Sequence, residues 1–115
     1  MIKLEIALDE DKVRKDDIYE LSDIYEEIDK LFANKGLPKM ESSDTDSIFY
    51  RDAGRNTDFG AIFSCITFLE YQDWFMPYVK KWIYYNSDMG KDENDFRTED
   101  IIEERKKWNK RMVTV

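Results

Sequence analysis

A chain of 115 residues that is 42% hydrophobic and 15% aromatic has material for one domain and one modest core. With 26 acids against 18 bases it carries a net charge of −8, and it contains no histidine and a single cysteine, Cys65. That inventory excludes Ser-His-Asp and Cys-His nucleophile systems, histidine-bearing zinc sites, cysteine-rich metal clusters and an internal disulfide. An unpaired cysteine suits a reducing cytoplasm, and the N-terminal MIKLEIALDEDK, interrupted early by acids, does not read as a signal peptide. No apolar run reaches the roughly 18 residues that mark a membrane-spanning helix. An acidic surface repels nucleic acid and anionic lipid and attracts basic partners. The expected partner is therefore a protein with a basic surface, with no cofactor, no metal, no membrane and no direct nucleic-acid binding.

In chain order, Ile2, Leu4, Ile6 and Leu8 alternate with Lys3, Glu5 and Ala7, the period-2 pattern of a strand with one buried face. A charged stretch bearing only Val13 follows. Ile18, Leu21, Ile24, Tyr25, Ile28, Leu31 and Phe32 then fall at helical spacing, with Asp16, Asp17 and Ser22 as alternative N-caps. Gly36 suits the left-handed position after the helix, Leu37 folds back on Phe32, and Pro38 stops continuation. Residues 39–45 read as a polar linker. Ser47 to Arg51 reads as a short strand, closed by the turn Asp52-Ala53-Gly54-Arg55-Asn56.

Thr57 or Asp58 is positioned to cap a helix in which Phe59, Ile62, Phe63, Ile66 and Leu69 face the core; so dense an apolar run also fits a buried strand, but its length favours a helix. Gln72 to Met76 reads as a turn ending at Pro77. Tyr78 to Tyr85 is a strand, with Val79, Ile83 and Tyr85 on one face and Tyr78, Trp82 and Tyr84 on the other. Residues 86–95 form a polar acidic loop, and Thr98 caps a last helix whose acidic start and basic end match the helix dipole. The order β-α-β-α-β-α predicts one α/β (α+β) domain over residues 1–115, a small three-stranded sheet with helices on one face.

The chemistry is sparse. There is no GxxxxGK[ST] and no GxGxxG, and Cys65 inside an apolar run reads as a buried small hydrophobe. The loop from Asn86 fails the calcium-loop template, since Gly90 falls at its fifth position and Arg97 at its twelfth. The charge is unevenly placed. Residues 9–30 hold ten acids and four bases, a second acidic set runs from Asp88 to Glu104, and Arg105, Lys106, Lys107, Lys110 and Arg111 form a basic block. A solvated helix face accounts for such charge; so does an acidic surface shaped for a basic groove. The candidate interaction residues are Glu20, Asp23, Glu26, Glu27 and Asp29 on the helix, and Asp88, Asp92, Glu93 and Asp95 in the loop. Trp82 and Tyr84 join them as exposed anchors, because a three-stranded sheet with helices on one side leaves aromatics uncovered.

The segments IKLEIALDEDK and LSDIYEEIDKLFANKGLPK, with DFG, DWFM, WIYYNSD and NDFRTEDI, resemble a family of small acidic proteins carried on integrative conjugative elements of Gram-positive gut bacteria. The resemblance implies a host-defence inhibitor of the anti-CRISPR or antirestriction type, in which an acidic surface blocks the basic nucleic-acid-binding site of an enzyme such as a Cas9-type nuclease. The alternatives are an immunity protein or antitoxin against a basic toxin, or an accessory regulatory module of a mobile element; an enzyme is the least favoured reading, and the chain is expected not to be one.

Overall fold

Strand β1 (Ile2–Leu8) lies in the middle of the sheet, and every one of its residues except Lys3 is buried. The computed structural model describes residues 1–40, 46–87 and 97–113, with side chains as far as 107. After β1 come α1 (Glu10–Asp16), α2 (Leu21–Asn34), β2 (Lys39–Met40), β3 (Ile48–Arg51), α3 (Asp58–Glu70), β4 (Val79–Asn86), β5 (Arg97–Asp100) and α4 (Ile101–Val113). The class is α+β, but the sheet has five strands rather than three, all antiparallel, in the order β2-β3-β1-β4-β5.

Register decides which side chains share a face. Leu4 lies opposite Tyr50 and Tyr84, and Ile6 opposite Ile48 and Trp82. This face lies under the helices. Phe32 of α2 stacks on Tyr50, with ring centroids 3.9 Å apart, and Phe63 of α3 meets Tyr84 at 5.3 Å. Below α3, Phe75 stands edge-on to Trp82 at 5.0 Å. Val13 of α1 and Ile101 of α4 join the same apolar cluster, so all four helices contribute to one core. Lys3, Glu5, Phe49, Ile83 and Tyr85 lie on the opposite face.

Two strands and one helix escape the sequence pattern, for identifiable reasons. β2 is two residues long and β5 reads Arg-Thr-Glu-Asp, all four exposed, so neither shows apolar alternation. Thr98 therefore sits in a strand instead of capping the last helix; Asp100 takes that role, its carboxylate accepting the Glu103 N–H at 3.1 Å. The charged stretch after β1 is helical because its ends are capped. The Asp9 side chain accepts the Lys12 N–H, Glu10 and Asp11 open the helix and Arg14 and Lys15 close it. Asp17, in the left-handed region at φ 52°, breaks α1 and turns the chain into α2. The second helix consequently begins at Leu21, its N-cap position held by Glu20 without a side-chain bond, and Ile18 is expelled from the core stripe to 69% exposure.

The end of α2 follows the expected motif. Gly36 has φ +70°, its N–H bonds to the Ala33 carbonyl, and the N–H of buried Leu37 reaches the Phe32 carbonyl. Arg55 then ties this end to the turn before α3. Its Nη2 donates to the carbonyls of Lys35 and Gly36 at 2.9 and 3.1 Å, while Nη2 and Nε grip the buried Asp58 carboxylate at 2.7 and 2.8 Å. Asp58 also accepts the N–H groups of Ala53 and Arg55. The face opposite the helices has a comparable knot. Glu5, only 3% exposed, accepts from Ser47 at 2.7 Å, Tyr85 at 2.5 Å and Lys81 at 3.0 Å.

Burial pushes both carboxyls up, but the hydrogen bonds outweigh it. Tyr85, Ser47 and Lys81 hold Glu5 below the usual 4.5, and Arg55 with two backbone N–H groups holds Asp58 below 3.8. A carboxyl lowered by folding stabilises the fold above its unfolded pKa, and that stabilisation is lost as the pH falls through the folded value. Unfolding free energy should therefore hold steady down to the ordinary glutamate value of 4.5 and decline below it. In an acid titration, Glu5→Gln and Asp58→Asn should each make the decline shallower; an unchanged slope in both would remove these carboxyls as its source.

Packing separates two residues that periodicity had joined. Ile62→Ala, at a fully buried site, should lose about 2–5 kcal/mol in a denaturant titration. Phe63→Ala should lose clearly less, because Phe63 is 37% exposed. Gly36→Ala should cost about 1–2 kcal/mol from the left-handed backbone, and its Cβ would also stand 2.9 Å from the Arg55 guanidinium; equal stability of variant and parent would contradict this helix end.

Candidate functional site

The acidic residues of the second helix separate into two groups once α2 is seated on the sheet. Ile24, Ile28 and Phe32 face inward, which leaves Glu20, Asp23, Glu26 and Glu27 exposed on the outer side. Lys30 stands 3.4 Å from Glu26 and 4.0 Å from Glu27. Among the described residues, no ion pair reaches Glu20 or Asp23. Asp29 belongs elsewhere. Half-buried, it accepts the Tyr50 hydroxyl and pairs with Lys39 at 3.2 Å, tying α2 to β2 and β3. Burial and this carboxylate push the Tyr50 hydroxyl far above its ordinary pKa, so it remains a donor.

α1 extends the acidic surface. Glu10 accepts the Tyr25 hydroxyl at 2.9 Å, Asp11 pairs with Arg14 at 3.6 Å, and Asp16 and Asp17 are exposed at its end. The elbow between the helices carries Ile18 and Tyr19, 69% and 36% exposed, among Asp16, Asp17 and Glu20. An apolar tip ringed by carboxylates has the form of an interface anchor. Periodicity concealed it, since Ile18 continues the α2 stripe in sequence and only the left-handed Asp17 takes it off the helix.

The two proposed aromatic anchors are not on the surface. Trp82 is fully buried and Tyr84 is 7% exposed, because strand alternation turns both toward the helices with Tyr78. Besides Tyr19, the exposed aromatics among the described residues are on α3 and just beyond: Phe59, Phe63, Phe68 and Tyr71. That helix is apolar nearly all round, while the core takes only the arc of Ile62, Cys65, Ile66 and Leu69. The surplus of apolar residues over one core-facing stripe was readable from the sequence as a sign of an uncovered face. Asp88, Asp92, Glu93 and Asp95 lie outside the described residues.

Phe59 and Phe63 line a groove bounded by α3 on one side and by β5 and α4 on the other. One part, of ≈ 500 Å³, is formed by Phe63, Ile66, Tyr71, Tyr84, Ile101 and the charged rim of Glu70, Glu99, Glu104 and Arg105. A second part, of ≈ 430 Å³, continues past Phe59 to Arg97 and Thr98 and shares Phe63, Tyr84 and Glu99 with the first. Arg105 reaches across to Glu70 at 3.0 Å.

Reactive chemistry is scarce. Burial pushes the Cys65 thiol up to about 11, which keeps it protonated at neutral pH. Glu5 and Asp58 are enclosed by their own donors and line none of the described cavities. Among the described residues no cluster of three or more His, Cys, Asp or Glu side chains is arranged to hold a metal, and no helix is long and apolar enough to cross a membrane. The arrangement offers surfaces for binding. Comparison with known proteins gives no match: no family model fits the chain, and no curated protein and no solved structure matches it.

Proposed function

We propose that this chain is a non-enzymatic binding protein that presents the outer face of α1 and α2 to a basic surface of a partner, and so inhibits a nucleic-acid-directed defence enzyme such as a Cas9-type nuclease. The observation that carries this reading is the exposure of Asp16, Asp17, Glu20, Asp23, Glu26 and Glu27 on α1, the elbow and the outer side of α2, with Ile18 of the elbow 69% exposed between Asp17 and Glu20 in the chain. A basic channel built for phosphates attracts carboxylates by the same long-range field. The apolar tip supplies desolvated contact area, which charge alone does not.

Exposed carboxylates contribute little to folding, so the surface can be altered without harming the fold. Glu20→Gln, Asp23→Asn and Glu27→Gln together should leave the melting temperature nearly unchanged, slow association with the basic partner and flatten its salt dependence. Ile18→Ser should speed dissociation instead. In a nuclease assay, micromolar protein should reduce guide loading, DNA binding or cleavage. No effect on any of these steps would reject the nuclease reading. Tight stoichiometric capture of a basic toxin would replace it with an immunity role, and an unchanged on-rate and salt slope in the triple variant would show that α1 and α2 present only a solvated face.

A further inference from the structure

We propose that the outer edge of β5 pairs with the β5 of a second copy of this chain, antiparallel and across a two-fold axis, so that one sheet runs through the dimer. This edge lies apart from the acidic surface of α2, which stands over β3 on the other side of the central strand. The free side of β5 is set by the pairing behind it. The Ser87 N–H bonds to the Met1 carbonyl at 3.0 Å. Alternate residues of an antiparallel strand turn their backbone groups to opposite sides, so Tyr85 and Ile83 also face β1, while Asn86 and Tyr84 face β5. Arg97 and Glu99, opposite Asn86 and Tyr84, are therefore bonded to β4. The N–H and C=O of Thr98, between them, point away from the sheet. The first turns of α4 leave this edge open, because Ile101 enters the core and Arg105 reaches Glu70 of α3 at 3.0 Å.

Side chains select one register. The dyad relating two antiparallel strands is perpendicular to their sheet, so opposed residues lie on the same face of it. With Thr98 on the axis, each Thr98 N–H meets the Thr98 carbonyl of the other copy, and Arg97 of each copy stands opposite Glu99 of the other. Moving the axis to Arg97 or Glu99 instead sets like charges against each other. Arg97 and Glu99 are exposed, and among the described residues neither has an ion pair. Along one strand they are about 7 Å apart, whereas residues opposed in a non-hydrogen-bonded pair lie about 4.5 Å apart between Cα atoms. The second copy thus brings the nearer counter-charge to both, and symmetry doubles the effect. Charges on an edge strand discourage pairing with unrelated strands; alternating in sign, they make this one complementary to itself.

Sedimentation equilibrium of the full chain should show the mass rising from one copy towards two as the concentration approaches about 1 mM. The Thr98 amide should exchange more slowly over the same range, and the amides of Arg97 and Glu99, already bonded to β4, should change less. Arg97→Glu and Glu99→Arg, each of which opposes like charges twice, should weaken the dimer about tenfold. Both variants should melt near the parent temperature, since exposed charges contribute little to folding. Mixed in equal parts they should associate at least as well as the parent, and Arg97→Glu/Glu99→Arg in one chain should restore the dimer. A chain that stays monomeric, a dimer in which Thr98 exchange is unchanged, single reversals without effect, or a mixture that fails to associate would each overturn the proposal.

Discussion

The fold depends on where β1 is placed. A seven-residue strand paired on both sides must bury its backbone, and here nearly all of its side chains are buried with it. Its alternation suits one apolar face, so the other face has to accommodate Glu5 at the centre of the sheet. An unpaired charge there would cost several kcal/mol. Ser47 before β3, and Lys81 and Tyr85 on β4, satisfy it and so link both neighbouring strands to the same carboxylate. The knot makes register specific as well as stable, because a one-residue slip of either neighbour would leave Glu5 without donors and turn its own apolar residues outward.

A second polar link orders the helices. Gly36 allows α2 to end in a left-handed turn, and the carbonyls it exposes are taken by Arg55, which Asp58 holds in place. One guanidinium thus joins the end of α2 to the start of α3. With α2 set over β3 and α3 over β4, the carboxylates of α2 and the aromatics of α3 are displayed on separate parts of the molecule. Exposed pairs such as Lys30–Glu26 add about 0.3–0.5 kcal/mol at most. Burial of Trp82, Phe32, Phe75 and Ile62 contributes about 1.5–3 kcal/mol each. Stability therefore resides in the core, and the acidic surface is available for recognition.

Both surfaces are left over from packing. α3 carries more apolar residues than one sheet face can cover, and the elbow after α1 expels an isoleucine that helical spacing would have buried. The elbow sets an exposed apolar residue among carboxylates, whereas the aromatic trough beside α3 is rimmed by the pairs Glu70–Arg105 and Glu104–Lys107.

The sequence by itself determined that residues 2–8 form a strand, along with the α2 stripe and its glycine stop, the turn through Gly54, the helical character of residues 58–70 and the strand before Asn86, because each has a period or a capping residue that is local. It also located the carboxylates of α2, whose exposure follows from the apolar stripe opposite them. The edge strands Lys39–Met40 and Arg97–Asp100 carry no such signal, since their only strand-forming interaction is backbone pairing with a neighbour distant in sequence. Tertiary structure alone decided that Asp29 serves Tyr50 and Lys39, that Ile18 is outside, and that Trp82 and Tyr84 are inside while Phe59 and Phe63 are uncovered. Periodicity reports which residues share a face; which face meets another element is settled only when the sheet order brings distant segments together.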